Sequence, residues 1–484
     1  MRTFLFAFLL ICLSANATRG QHATLDSLID RWTQLQRQNW GEELWPDLSQ
    51  RAFDRSAAEA RMLLAALERI PYDSLDLSGR INHALLRHQL DDALARHAFQ
   101  DWLVPLNAEG GWYTQFLLEA QRTTFARPEQ ARRFLRKLDS LPEYADQQMH
   151  WMRRGLELGR TAPRAILQGR EGVVDACIVE RPEDSPFFQP FARMPDDWPA
   201  ALRDSLQQAA REVIAREVTP TWERFRRFWT EEYIPGAVEA VGISAQPGGR
   251  AWYENRVRHF TTLDLTPEEV FETGMREVRR IEAEMMAILD SLGFEGSLQD
   301  FIQYLRTDPR FYARTPEELL MRASFICKKI DGKLPEFFGK LPRNSYGVAP
   351  VPAAIAPTYT GGRYSPGSLE EGRAGFYWVN TWNLPARPLY VLPALSLHEA
   401  VPGHHLQISL SQEMEGVHPF RRRIYLSAFG EGWGLYAEHL GVEMGIYEDL
   451  YEHFGRLTYE MWRACRLVVD PGIHVMGWSR QQAI

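Results

Sequence analysis

Apolar residues recur at three- and four-residue steps along most of this chain, and that spacing commits it to helices. Between Leu25 and Trp229 the pattern is carried by runs such as Ala57-Ala60-Leu63-Leu64-Leu67 and Leu202-Leu206-Ala209-Val213. Residues spaced in this way share one helical face, and that face has to be buried against a neighbour. Pro71, Pro105, Pro142 and Pro163 divide the region into antiparallel helices, because proline lacks the N–H that a continuing helix needs. The segment 177–199 is rich in Pro, Asp and Phe and reads as a long connection.

Two sharper helix starts follow. In Thr266-Pro267-Glu268-Glu269 the threonine caps, proline fills the first turn and Glu269 reaches back to complete a capping box. Thr315-Pro316-Glu317-Glu318 repeats the device. Between Leu341 and Pro393 the composition changes to Pro, Gly, Tyr and Ser, and Gly375-Phe376-Tyr377-Trp378-Val379-Asn380 is the best strand candidate. The fold class expected is therefore mostly α, with a small β-sheet just ahead of the helix that starts near Leu392. A chain of 484 residues is long for one core, so two lobes are expected. We divide it into a signal peptide at 1–17, an N-terminal helical region at 18–230 and a site-bearing region at 231–484.

The N-terminus opens with Met1-Arg2, an apolar run from Phe4 to Leu13, and Ala15-Asn16-Ala17. This is the pattern of a secretory signal peptide cleaved after Ala17. The run is too short to span a bilayer, which takes about 20 residues. Cys12 follows the bulky Ile11, which suits lipid attachment poorly, so the expectation is an exported, soluble protein, periplasmic or secreted. A net charge of −8 offers no basic surface to nucleic acid or anionic lipid. No later segment predicts stable membrane insertion. Cys177, Cys327 and Cys465 are too few and too scattered for a disulfide scaffold and read as buried small hydrophobes.

The chemistry is concentrated in Ser396-Leu397-His398-Glu399-Ala400-Val401-Pro402-Gly403-His404-His405. A simple zinc helix places two histidines four residues apart, with a glutamate beside the first as general base. Here the fourth position is Pro402. On a regular helix His398 and His405 would lie about 10 Å apart along the axis, and His398 and His404 would point about 120° apart. Two nitrogens on one zinc must approach within roughly 3.5 Å. The sequence supplies the required distortion. Pro402 cannot donate to the carbonyl of His398, Val401 is pushed from helical angles, and Gly403 tolerates almost any backbone conformation. A Pro-Gly bulge would return His404 to a ligand position, so His404 is preferred, with His405 still open. A third ligand is needed, and Glu431 in Ala428-Phe429-Gly430-Glu431-Gly432-Trp433-Gly434 is the candidate. Glu438, two turns on, could orient a ligand histidine.

The stretches HEAVPGHHLQ, FGEGWGLYAEHLG and RLVVDPGIHVMGWSRQQAI closely resemble the bacterial DUF885 family, whose members look like helical zinc metallopeptidases of the gluzincin kind. The resemblance extends over most of the mature chain and includes residues 261–267 and 376–380. It implies Zn2+ on His398, one histidine of the 404/405 pair and Glu431, with Glu399 as the catalytic base. It also implies a deep cleft and short peptides as substrates, an extended peptide pairing with the Gly375–Asn380 strand and meeting Tyr377 and Asn380. On the last helix Arg466 could bind a substrate carboxylate or pair with Asp470, and His474 could assist catalysis.

Family members usually run on past the point where this chain stops at Ile484, and Ser479-Arg480-Gln481-Gln482 is a capping-box start just before it. A C-terminal truncation is expected on both grounds. The alternative function is then a non-catalytic metal- or peptide-binding member. A di-iron helical bundle, with Glu415-Gly416-Val417-His418 as half of its ligands, is a weaker rival.

Overall fold

Helical periodicity is realised almost throughout the computed structural model, which describes residues 22–37, 44–108, 110–353 and 355–484. The signal-peptide reading of residues 1–17 lies outside them. Among the described residues no helix is long and apolar enough to cross a membrane. The chain divides into two compact units, one of Met1–Asn255 with Ile473–Gln482 and Ile484, the other of Arg256–Gly472 with Ala483.

In the first unit the helix Gln50–Leu67 buries Ala52, Ala57, Ala60, Leu63 and Leu67, the stripe its sequence spacing announces. It packs on the helix Leu77–Phe99. The core of this unit is aromatic. Trp112 stacks on Trp222 with ring centroids 5.7 Å apart, and Phe116 stacks on Phe187 at 4.7 Å. The segment 177–199 is more than a connection, because Phe187, Phe188 and Phe191 are buried in this core. From Ala200 to Gly236 the chain is one helical rod interrupted by two π turns, Ile214–Val218 and Phe228–Tyr233. The first wide turn comes just before Pro220, where a regular helix would lose a hydrogen bond and meet the proline ring.

The second unit carries the site. Its longest helix, α1 (Pro267–Leu292), starts with the expected capping box: Thr266 Oγ1 accepts the Glu269 N–H at 3.2 Å, and the Glu269 carboxylate accepts the Thr266 N–H at 2.8 Å. Such a cap stabilises by about 1 kcal/mol. The next, α2 (Pro316–Phe337), is capped only one way. Thr315 accepts from the Glu318 N–H, while the Glu318 carboxylate turns to the Arg314 N–H.

Three strands follow, β1 (Tyr346–Pro350), β2 (Gly362–Ser365) and β3 (Gly375–Val379), in the order β1-β3-β2. β3 runs parallel to β1 and antiparallel to β2, with Val348 and Tyr364 both in register with Tyr377. The strand expected to pair with substrate is therefore the middle strand, with both edges already occupied. Behind the sheet come α3 (Leu392–Glu399), α4 (His404–Gln412), α5 (Ser427–Glu443) and α6 (Leu450–His474). Leu397, Val401, Leu406, Leu440 and Met444 share one buried cluster that fixes α3, α4 and α5 together.

Candidate metal centre

The helix carrying His398 ends where proline dictates. The Ala400 N–H bonds the Ser396 carbonyl, α3 stops at Glu399, and Val401–Pro402 is a cis peptide. Helix resumes at His404, and the His405 N–H reaches back over the bulge to the Ala400 carbonyl at 3.0 Å. Only glycine fits at 403, since a Cβ there would lie 1.9 Å from the carbonyl oxygen of His398. Trp433 pins the bulge by donating its indole N–H to the Pro402 carbonyl at 2.7 Å. The outcome is that the rings of His398 and His404 stand 4.7 Å apart at 89°. His405 turns elsewhere, its Nδ1 2.8 Å from the Tyr364 hydroxyl and its ring against Tyr346.

The third member comes from α5. Glu431 Oε2 is 3.4 Å from His398 Nε2, and Oε1 is 3.8 Å from His404 Nε2. One ligand atom from each of these residues lies within 4.8 Å of the others, a spacing that could hold a metal ion. Among the described residues no second such group occurs. Two glycines of α5 make the approach possible. A Cβ at Gly434 would lie 2.4 Å from the His398 ring, and one at Gly430 would meet the Tyr425 ring at 2.4 Å. Gly432 faces open space, so the close contacts around Glu431 are at positions 430 and 434 and are made by side chains.

Around this group sits a second layer of charge. His398 Nδ1 is 2.7 Å from Glu438 Oε1, and Arg463 Nη2 is 2.9 Å from the same oxygen. A carboxylate only accepts, so Nδ1 carries a hydrogen towards Glu438 and Nε2 one towards Glu431, and Nε2 is the nitrogen that would give up its proton to a metal. Burial alone would depress the His398 pKa, but hydrogen bonds to Glu431 and Glu438 raise it to about 9. The hydrogen bond from His398 holds Glu431 near 2 against burial, with the Tyr425 hydroxyl assisting at 2.9 Å. Burial, then the charge of His398, lowers His404 to about 4. Glu399 is itself buried, which pushes its carboxyl up to about 7, although its Oε2 accepts the Tyr364 N–H at 2.8 Å.

The remaining sequence candidates are held in other ways. Tyr377 is fully buried in the cluster between the sheet and α2. Asn380 is a loop staple, donating to the carbonyls of Ala356, Tyr359 and Thr360 and accepting the Trp382 N–H. Arg466 is exposed and lies over the Trp462 ring. His474 falls in the first unit, where its Nδ1 accepts the Ile243 N–H and its ring stacks on Tyr253. His418 caps the short helix Pro419–Arg423, accepting the Phe420 N–H. Cys177, Cys327 and Cys465 are free thiols, the first two buried. Sequence reasoning gave no role to Tyr425, Tyr364, Trp433 or Arg463. Arg463 lies 25 residues from Glu438, and no local spacing announces such a pair. A cavity of about 700 Å³ opens beside the group, with His398, Glu399, Gly362, Arg387, Tyr459 and Trp462 in its wall.

Fold and site together define a mostly helical protein with a small mixed sheet and a His-His-Glu group able to hold a metal. The chain belongs to the DUF885 family, described as a bacterial protein of unknown function, whose model matches residues 33–484. Among solved structures it is similar to a "putative lipoprotein" from Colwellia psychrerythraea, with 23% identity and a TM-score of 0.80 over 96% of this chain and 83% of that one. It is also similar to a "putative lipoprotein of unknown function" from Shewanella oneidensis, with 17% identity and a TM-score of 0.66 over 96% and 85% of the two chains. At such identities the likeness speaks for the fold. No curated protein matches the chain.

Proposed function

We propose that this protein is an exported, zinc-dependent peptidase that hydrolyses short peptides at the His398–His404–Glu431 group. The observation that carries the reading is the convergence of two imidazole nitrogens and one carboxylate within 4.8 Å, next to the buried carboxylate of Glu399. The donor set fits zinc: three protein ligands of N, N and O type leave a fourth position open, as catalytic sites do. The Glu438 carboxylate behind His398 is the supporting partner such a ligand usually has. Bound there, zinc would supply Lewis-acid polarisation of the scissile carbonyl and of a water molecule. Glu399 then takes the proton of the attacking water and passes it to the leaving amine. Burial, which raises its carboxyl, favours its taking up a proton.

The middle position of β3 shifts the peptide-pairing edge to β2. The Tyr364 N–H of β2 points away from β3 to Glu399, so this edge runs beside the base, and an extended substrate adds to it as a further strand. Export is supported by the signal-like residues 1–17 and by the lipoprotein descriptions of the two structural neighbours.

Mass spectrometry of a defined peptide library incubated with the protein, with and without chelator, tests the reading. Cleavage is expected without chelator, is lost with it, and returns on adding zinc. Glu399→Gln is expected to keep the metal and abolish cleavage. Hydrolysis unchanged in that variant, or no cleavage by the zinc-loaded wild type, refutes the proposal.

A further inference from the structure

The cavity beside the metal group has a partly buried cation, Arg387, that no carboxylate among the described residues pairs with. Arg387 follows the short turn Leu384–Ala386 and lines the same cavity as His398 and Glu399. Its Nε is buried without a hydrogen-bond partner, and its Nη1 reaches only the neighbouring Ala386 carbonyl at 3.3 Å. Among the described residues no carboxylate comes within 4.0 Å of its guanidinium nitrogens. Arg463, on the same wall, differs in being neutralised by Glu438 at 2.9 Å. With that pair cancelled, the lining keeps Arg387 and the exposed Arg306 against the single carboxylate of Glu399.

A guanidinium held this way is costly. It has shed part of its water without gaining the fork of acceptors that its five donors match. Burial accordingly pulls its pKa below the ordinary arginine value. The group that best fits a planar, unsatisfied guanidinium is a carboxylate, which it grips through two parallel hydrogen bonds. Tyr312, Tyr390, Tyr459 and Trp462 supply apolar wall for the rest of such a ligand.

We propose that Arg387 anchors a carboxylate of the bound ligand, making peptides that present a free carboxylate to this cavity the substrate class of the site. The assignment of that ligand as a substrate rests on the peptidase reading above; the carboxylate anchor itself does not. The carboxylate is either the C-terminus of the peptide or an acidic side chain, and the two sources separate in the test.

Calorimetric binding to full-length, zinc-loaded Glu399→Gln protein uses four probes: N-acetyl-Phe-Leu as free acid and as amide, and N-acetyl-Phe-Glu-amide with N-acetyl-Phe-Gln-amide. One acid is expected to bind about tenfold to a hundredfold more tightly than its neutral counterpart, the range of a charge-assisted hydrogen bond. Preference within the first pair assigns the C-terminal carboxylate, and preference within the second assigns the side chain. Adding Arg387→Met, which keeps an apolar stem, should erase the preference and leave the neutral probes unaffected, whereas Arg387→Lys should retain part of it. Equal affinity within both pairs in the arginine-bearing protein overturns the proposal, and that comparison needs no arginine variant to fold. A preference that survives Arg387→Met overturns it equally. Binding discrimination without hydrolysis by the wild type would sink the peptidase reading alone.

Discussion

His398 Nδ1 and Glu438 Oε1 stand 2.7 Å apart, with side chains only 5% and 1% exposed, so the ligand histidine is held by a carboxylate that water scarcely reaches. The contact fixes both the ring's orientation and its tautomer. Arg463 balances the buried charge from the other side.

Glu438→Gln should therefore weaken metal binding. Supporting partners of this kind are worth about 10- to 100-fold in affinity. Competition against a chromogenic chelator measures the change; an unaltered affinity would show that His398 is oriented without Glu438.

The two neighbouring histidines should separate cleanly. His404→Ala removes one donor of the group, and metal content by mass spectrometry should fall towards zero. His405→Ala should keep the metal while destabilising the fold by about 1–3 kcal/mol, because a buried ring and its bond to the Tyr364 hydroxyl are lost. Urea unfolding reads the second effect. The reverse pattern would make His405 the ligand.

The glycines of α5 offer a matched pair. In Gly434→Ala the new Cβ would sit 2.4 Å from the His398 ring, and the steric cost of about 1–3 kcal/mol should outweigh a helix-propensity gain of about 1 kcal/mol. Metal affinity should drop with it. Gly432→Ala meets nothing within 4 Å and should stabilise by up to about 1 kcal/mol. Denaturant midpoints for the two variants should move in opposite directions.

His83, remote in sequence from the site, sets a pH dependence. Burial lowers its pKa from the ordinary value near 6.5, against a hydrogen bond with the Leu67 carbonyl. As pH falls below that value the unfolded chain takes up the proton first, so native stability is lost towards the depressed pKa and is unaffected above the ordinary one. His83→Gln should lose less stability than wild type between pH 7 and about 5. Parallel urea midpoints for both proteins would contradict this assignment.

Much of this protein was set by its sequence through contacts between residues close in the chain. The helical stripe Ala57-Ala60-Leu63-Leu67 and the Thr266–Glu269 box need only the local backbone, and both form as the spacing dictates. The Pro402-Gly403 bulge is of the same kind, because proline's missing donor and glycine's missing Cβ act within one turn. What the tertiary structure alone decided are contacts between distant segments. That His404 meets Glu431 while His405 turns to Tyr364 depends on how α5 and the sheet close around the bulge. That β3 is a middle strand, and so cannot offer an edge, depends on β1 and β2 pairing with it. Arg387 shows the same division most simply. Its sequence gives a charge beside prolines, and only the packed cavity leaves that charge without a carboxylate partner.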